Sequence, residues 1–179
     1  MKKLALSLGA VALALTSAQS FAVGATSGIV NVTGYVQGQT CRITDDTTYH
    51  DLRLDDTRTR DLVRLGDVST QQVKFDIKLV DCEVGETAGI RFGNSNVDGA
   101  HAGTLKNIWS GSGVAENVNI QLMYNDQAID LTAQTNDHYK TVVTHDDALV
   151  YQYAARYYAT GQATKGWVHS FATYNVDYK

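Results

Sequence analysis

Cys41 and Cys82 are the two cysteines of this 179-residue chain, and His50, His101, His138, His145 and His169 are its five histidines. Thiols and imidazoles are the groups that bind transition metals and carry nucleophilic or proton-transfer chemistry. Their spacing here argues against those uses. The two cysteines match no zinc-ligand pattern. His138 and His145 lie near Asp137, Asp146 and Asp147, yet no histidine pair has the i, i+4 spacing of a zinc-binding helix, and the stretch is polar and reads as loop. Neither a Gly-x-Ser-x-Gly elbow nor a phosphate-cradling glycine loop occurs. Asp45-Asp46 and Asp55-Asp56 are adjacent pairs, so in an extended chain each splits across two faces and shares no site. No catalytic site, metal site or cofactor is expected, and the enzyme classes are set aside.

The cysteines take their meaning from the compartment. Lys2 and Lys3 precede an apolar Ala- and Leu-rich run, Leu4 to Leu15, and Ser20-Phe21-Ala22 offers small residues where a signal peptidase reads. Residues 1–22 are expected to be a cleaved signal peptide of bacterial type. The run is too short for a spanning helix, which needs about 20 residues, and no later segment reaches that length. The exported chain of 157 residues suits one domain with a core of its own. In an exported chain two cysteines most simply form one disulfide, with a metal site or a reactive thiol as the alternative. Loss of Lys2 and Lys3 takes the formal net charge from −4 to −6, which argues against a nucleic-acid partner.

The elements that must position these residues read as short strands. Val73 to Leu79 alternates apolar with charged residues, Ile90 to Phe92 is stopped by Gly93-Asn94, and Val118 to Leu122 alternates up to the turn-like Asn125-Asp126. Tyr151, Tyr153, Ala155 and Tyr157 share one strand face. They are either a sugar-binding platform or an inward sandwich face, and the alternation favours the latter. Val168 to Tyr178 reads as the last strand, with Ser170, Ala172, Tyr174, Val176 and Tyr178 on one face. Leu52 to Leu65 fits either a helical turn or a polar strand. Strands joined by Gly-, Ser-, Asn- and Asp-rich turns, with no long amphipathic helix and no proline, predict an all-β antiparallel sandwich.

The two ends carry the functional signal. In Gly28 to Val36, Gly28, Val30, Val32, Gly34 and Val36 fall on one strand face and Ile29, Asn31, Thr33 and Tyr35 on the other. This strand lies just behind the leader and needs a partner edge. The last strand, apolar on one face, is followed by no strand that covers its outer edge, which is an aggregation hazard that a donated strand removes. Gly34 weakens a strand on its own account and is better explained where an acceptor floor rises beneath it.

With these features the chain resembles subunits of type 1-like fimbriae, the chaperone–usher pilins of Gram-negative bacteria. The resemblance rests on Gly28 to Val36 leading into Cys41, Leu65-Gly66-Asp67-Val68, Phe75 to Cys82, Asn117 to Leu122, Ala155 to Gly161, Gly166 and Tyr178. It implies an incomplete immunoglobulin-like sandwich lacking its C-terminal strand, with residues 23–37 as a donor extension and 38–179 as the pilin domain. It implies that Gly28, Val30, Val32, Gly34 and Val36 insert into a neighbouring subunit, with Val36 in the last pocket, where exchange starts. Ala172, Tyr174, Val176 and Tyr178 would line the acceptor groove, the Lys179 carboxylate would anchor a periplasmic chaperone, and Cys41 and Cys82 would form the family's disulfide. The implied partners are related pilins, that chaperone and an outer-membrane usher, on a route through the periplasm to a surface fimbria that supports cell adhesion. The other reading is a free-standing secreted β-sandwich, a carbohydrate-binding or adhesive domain whose N-terminal strand closes its own sheet.

Overall fold

Strand pairing follows the alternating segments closely. The structure, a computed structural model, describes residues 29–36, 40–93, 95–134, 138–144 and 148–179. The expected signal peptide, Gly28, Asp137, His145, Asp146 and Asp147 lie outside the described residues. The chain divides into two units, residues 1–36 and 37–179. In the first, the described residues 29–36 carry no assigned secondary structure and are all exposed.

The second unit is a two-sheet sandwich. Its strands are β1 (Arg42–Ile43), β2 (Val73–Val80), β3 (Thr87–Phe92), β4 (Val97–Asp98), β5 (Thr104–Lys106), β6 (Val118–Tyr124), β7 (Gln127–Ala128), β8 (Lys140–Thr141), β9 (Leu149–Ala159) and β10 (Tyr174–Tyr178). Seven of them form one sheet in the order β1-β2-β9-β6-β5-β4, with β7 also on β6, and three form the other in the order β10-β3-β8. Every strand pair is antiparallel. Helical structure among the described residues is a four-residue turn, α1 (Asp45–Thr48), and one 3-10 turn, Thr59–Asp61. None of these helices is long and apolar enough to cross a membrane.

Strand β9 is the spine of the larger sheet. It pairs with β2 from Leu149 to Ala155 and with β6 from Tyr153 to Ala159. Beyond β2, the segment Gly66–Ser69 takes over that edge through Gly66 N–H to Ala159 C=O and Ser69 N–H to Tyr157 C=O. The inward phase of β9 and β2 supplies Tyr151, Tyr153, Ile77 and Leu79, each at most 1% exposed. Burying Ile77 or Leu79 contributes about 1.5–3 kcal/mol each. The tyrosines are therefore core residues, as the alternation predicts, and present no sugar platform. Tyr151 donates its hydroxyl to Ala88 C=O across the sandwich at 2.6 Å, which satisfies the buried O–H and ties the two sheets. From the smaller sheet Ala88, Ile90 and Phe92 face the same core.

The turns are chemically explained. Asn125 and Asp126 both have positive φ, +47° and +61°, between paired Tyr124 and Gln127. Asn and Asp tolerate this left-handed backbone, which a two-residue hairpin demands at both central positions. The stretch Leu52–Leu65 is neither a full helix nor a strand. Leu52 and Leu54 pack on the main core, and Leu62 is buried in a second small cluster with Ala115, Val118, Ala159 and Ala163.

One expectation needs correction. The last strand begins at Tyr174, not at Val168. Its partner β3 ends at Phe92, with Gly93 N–H to Thr173 C=O as the final rung. Upstream of that rung the chain bonds elsewhere: Asn96 Nδ2 donates to Phe171 C=O and Ile108 N–H to His169 C=O. The side chains still alternate, with 168, 170 and 172 half-buried and 169, 171 and 173 exposed.

Cys41 and Cys82 form a disulfide across 41 residues. A loop of that length stabilises the folded state by about 4 kcal/mol in the chain-entropy model. The double variant Cys41→Ala/Cys82→Ala is expected to lose about that much stability, read as a lower urea midpoint with a steeper denaturant slope, because the unlinked unfolded chain exposes more surface.

Candidate functional site

Strand β10 lies at the edge of the three-stranded sheet, and its backbone defines the site. The register pairs Tyr174 with Phe92, Val176 with Ile90 and Tyr178 with Ala88. The rungs Gly93 N–H to Thr173 C=O and Lys179 N–H to Thr87 C=O place the odd-numbered residues in the hydrogen-bonded pairs with β3. In an antiparallel ladder the alternate residues direct their N–H and C=O groups to the opposite side. Tyr174, Val176 and Tyr178 therefore present their main-chain groups along the outer edge, where β10 has no strand partner among the described residues.

The same three residues turn their side chains inward. Ala172, Tyr174, Val176 and Tyr178 are half-buried and pack against the main core. Two of them also reach the other sheet. Tyr174 donates its hydroxyl to Thr47 C=O, and Tyr178 donates to Cys41 C=O at 3.3 Å. These acceptors flank β1, the edge strand of the larger sheet. Two edge strands, β10 and β1, thus face each other with tyrosine side chains spanning between them. Burial raises the pKa of both tyrosines, so both hydroxyls stay protonated donors at neutral pH.

The outer face of β10 carries a polar lock that the sequence did not reveal. Arg91 Nη2 and Nε donate to Asp177 Oδ2 at 2.8 and 3.2 Å, and Tyr139 donates its hydroxyl to the same oxygen. These bonds, with that from Tyr139 the largest influence and those from Arg91 next, hold the Asp177 carboxyl below its ordinary range. Lys179 adds its ammonium over the Tyr139 ring at 4.1 Å. Arg91 and Asp177 meet as diagonal neighbours on one face, because Arg91 pairs with Asn175 and Asp177 with Gly89, and only the polar phase of each strand hints at this in the sequence.

The other residues expected to act are placed as follows. Val30, Val32, Gly34 and Val36 lie in the exposed extended segment, with Val30 and Val32 each 87% exposed and Val36 93% exposed. Gly28 lies outside the described residues. Lys179 closes the ladder of β10 through its main-chain N–H. The histidines do other work: His101 Nδ1 lies 2.8 Å from Asp98 Oδ2, His50 packs on Phe75, and His138 stacks on Tyr124. Among the described residues no group of three or more His, Cys, Asp or Glu is arranged to hold a metal.

Comparison with known proteins gives matches along nearly the whole described chain. Residues 30–179 match the family model described as fimbrial protein. The A chain of the type-1 fimbrial protein of Escherichia coli strain K12 is 31% identical over 175 residues, covering 96% of this chain and 94% of that relative. The F17 fimbrial protein of Escherichia coli is 33% identical over 177 residues, covering 92% and 94%. Among solved structures, the P pilus rod subunit PapA superposes with a TM-score of 0.60 at 18% identity, covering 79% of this chain and all of that one. A chaperone–usher pilus studied for rod uncoiling gives 0.56 at 18% identity, covering 88% and 98%.

Asp177→Asn tests the lock. A carboxyl whose pKa is lower folded than unfolded contributes stability that is fully present above its ordinary value of 3.8 and lost as pH falls through the folded pKa. The variant is expected to melt lower than the parent at pH 7, and the gap should close as the pH drops below 3.8. A gap that persists at low pH assigns the effect to packing instead.

Proposed function

Because this chain belongs to the fimbrial protein family, and is a structural subunit of a bacterial surface fimbria assembled through the periplasm, we propose that it polymerises by donor-strand exchange. In this reading it is a pilin with an incomplete immunoglobulin-like sandwich, and its role is structural rather than catalytic. Residues 23–37 are the donor extension and residues 38–179 the acceptor domain. Gly28, Val30, Val32, Gly34 and Val36 of one copy enter the space beside β10 of the next. There they meet Ala172, Tyr174, Val176 and Tyr178.

The observation that carries this reading is the outer edge of β10. Its N–H and C=O groups at 174, 176 and 178 point outward while the side chains of those residues face the core. An inserted strand pairs with the former and packs alternate apolar side chains on the latter, the division of labour of β-strand addition. The exposed segment 29–36 has the matching character, apolar at every second residue and unpaired among the described residues. Gly34 supports the assignment from another direction. Its φ is not left-handed, and a Cβ built there meets nothing within 4 Å. The need for glycine therefore arises outside its own surroundings, on a surface that the segment docks against.

The same edge needs cover before assembly. We assign that cover to a periplasmic chaperone, which lends a strand and holds the C-terminal carboxylate of Lys179, and the ordered exchange to an outer-membrane usher.

Deletion of residues 23–36 is expected to leave a subunit that forms a chaperone complex, detected by mass measurement, but yields no fibres by electron microscopy. Fibres from the truncated chain overturn the donor assignment. Gly34→Leu, which adds bulk at the proposed contact, is expected to slow exchange at least tenfold in a fibre-growth assay, while leaving chaperone binding unchanged.

A further inference from the structure

Both tryptophans of the chain, Trp109 and Trp167, lie on the surface, 37% and 61% exposed. Their rings stack on each other with centroids 5.7 Å apart and planes 30° apart. The main chain of Trp167 makes an isolated parallel bridge with Val114, but the edge of β10 uses neither indole. A large aromatic side chain gains most by burial, so a chain that spends both its indoles in solvent on two separate segments needs a reason.

The pair is rigidly built. Asn107 Nδ2 donates to Ala115 C=O at 2.8 Å and to Trp167 C=O at 3.0 Å, and its Oδ1 accepts the N–H groups of Trp109 and His169, both at 3.0 Å. All four hydrogen-bonding positions of one amide are thus spent on locking the two tryptophan-bearing segments together. Trp109 Nε1 donates to Ser112 C=O at 3.3 Å, fixing that ring over its own loop. Gly166 lets the segments approach: a Cβ there would lie 2.4 Å from Gly113 O and Ala115 N. Beneath, Val168 packs on the small buried cluster of Leu62, Ala115, Val118, Ala159 and Ala163.

We infer that Trp109 and Trp167 form a preorganised carbohydrate-binding platform, taking the apolar face of a pyranose ring. The site offers what such a ligand uses. An exposed indole face meets the sugar's C–H groups. Trp167 Nε1, which has no hydrogen-bond partner among the described residues, is a free donor for a hydroxyl. Exposed Ser110, Ser112, Lys165 and His169 on the same two segments supply a polar rim. Because the two main chains are locked by hydrogen bonds, and the Trp167 ring stacks on a Trp109 ring that is itself hydrogen-bonded, binding has little left to order, which lowers its entropic cost. The neighbouring Ile108 and Val114, 37% and 40% exposed, border the indoles.

The chain contains no other tryptophan, so the emission of a fimbria built from it alone reports on this pair. Such fimbriae, titrated with mono- and oligosaccharides of glucose, mannose, galactose and N-acetylglucosamine, are expected to show a saturable emission change with at least one sugar. On an array of the same sugars, Trp167→Ala fimbriae should bind at least about tenfold more weakly, while Trp167→Tyr retains part of the binding. Fibre formation by each variant shows that it folds. The inference fails if no sugar of the panel changes the emission, or if Trp167→Ala binds as the parent does. It fails equally if the emission shifts on subunit assembly and stays indifferent to sugar, which assigns the pair to a contact between copies.

Discussion

Main-chain hydrogen bonding at one sheet edge governs the rest of this molecule. Folding pairs the inner side of β10 with β3, and antiparallel geometry then points the alternate N–H and C=O groups outward. An unmet backbone group is tolerable in water and costly once buried, so the edge is held at the surface while its side chains remain committed to the core. The sandwich is stable enough to have a core but carries a surface that invites another strand. The proposed strand exchange and the proposed chaperone cover are two expressions of that single asymmetry. The tyrosines of β10 sharpen it. By hydrogen-bonding to Thr47 and Cys41 they hold the two facing edges in place, so the space between them is framed before any strand arrives.

Much of the fold was legible because burial and pairing coincide in most strands. Val73–Leu79, Val118–Leu122 and Tyr151–Tyr157 alternate, and all three segments are central strands with their apolar phase inward. The reading failed where burial and pairing part company. From Val168 to Thr173 the side chains alternate as in a strand, but β3 has already ended and the main chain bonds to Asn96 and Ile108 instead. Periodicity reports which side faces the core. It does not report which backbone lies alongside. Leu52–Leu65 was opaque for a related reason: Leu52, Leu54 and Leu62 anchor in two separate clusters at spacings of no regular period.

The candidate site divides in the same way. The inward row Ala172, Tyr174, Val176 and Tyr178 follows from alternation alone. The lock of Arg91, Tyr139 and Asp177 does not, because it depends on a register between strands 86 residues apart and on a tyrosine from the segment beside β8. The Asn107 clamp was equally hidden, since a single asparagine in a polar loop carries no sequence signal of four simultaneous bonds.

The disulfide joins Cys41, at the threshold between the N-terminal segment and the sandwich, to Cys82 just past the end of β2. Strand β1, which follows Cys41, is only two residues long and is held by β2 alone. A pull on the N-terminal segment would peel so short a strand easily. The covalent bridge instead delivers the load directly to the end of β2, which is held by seven register pairs with β9. The cross-link thus serves as a mechanical tether, routing tension around a two-residue strand and into a seven-pair ladder.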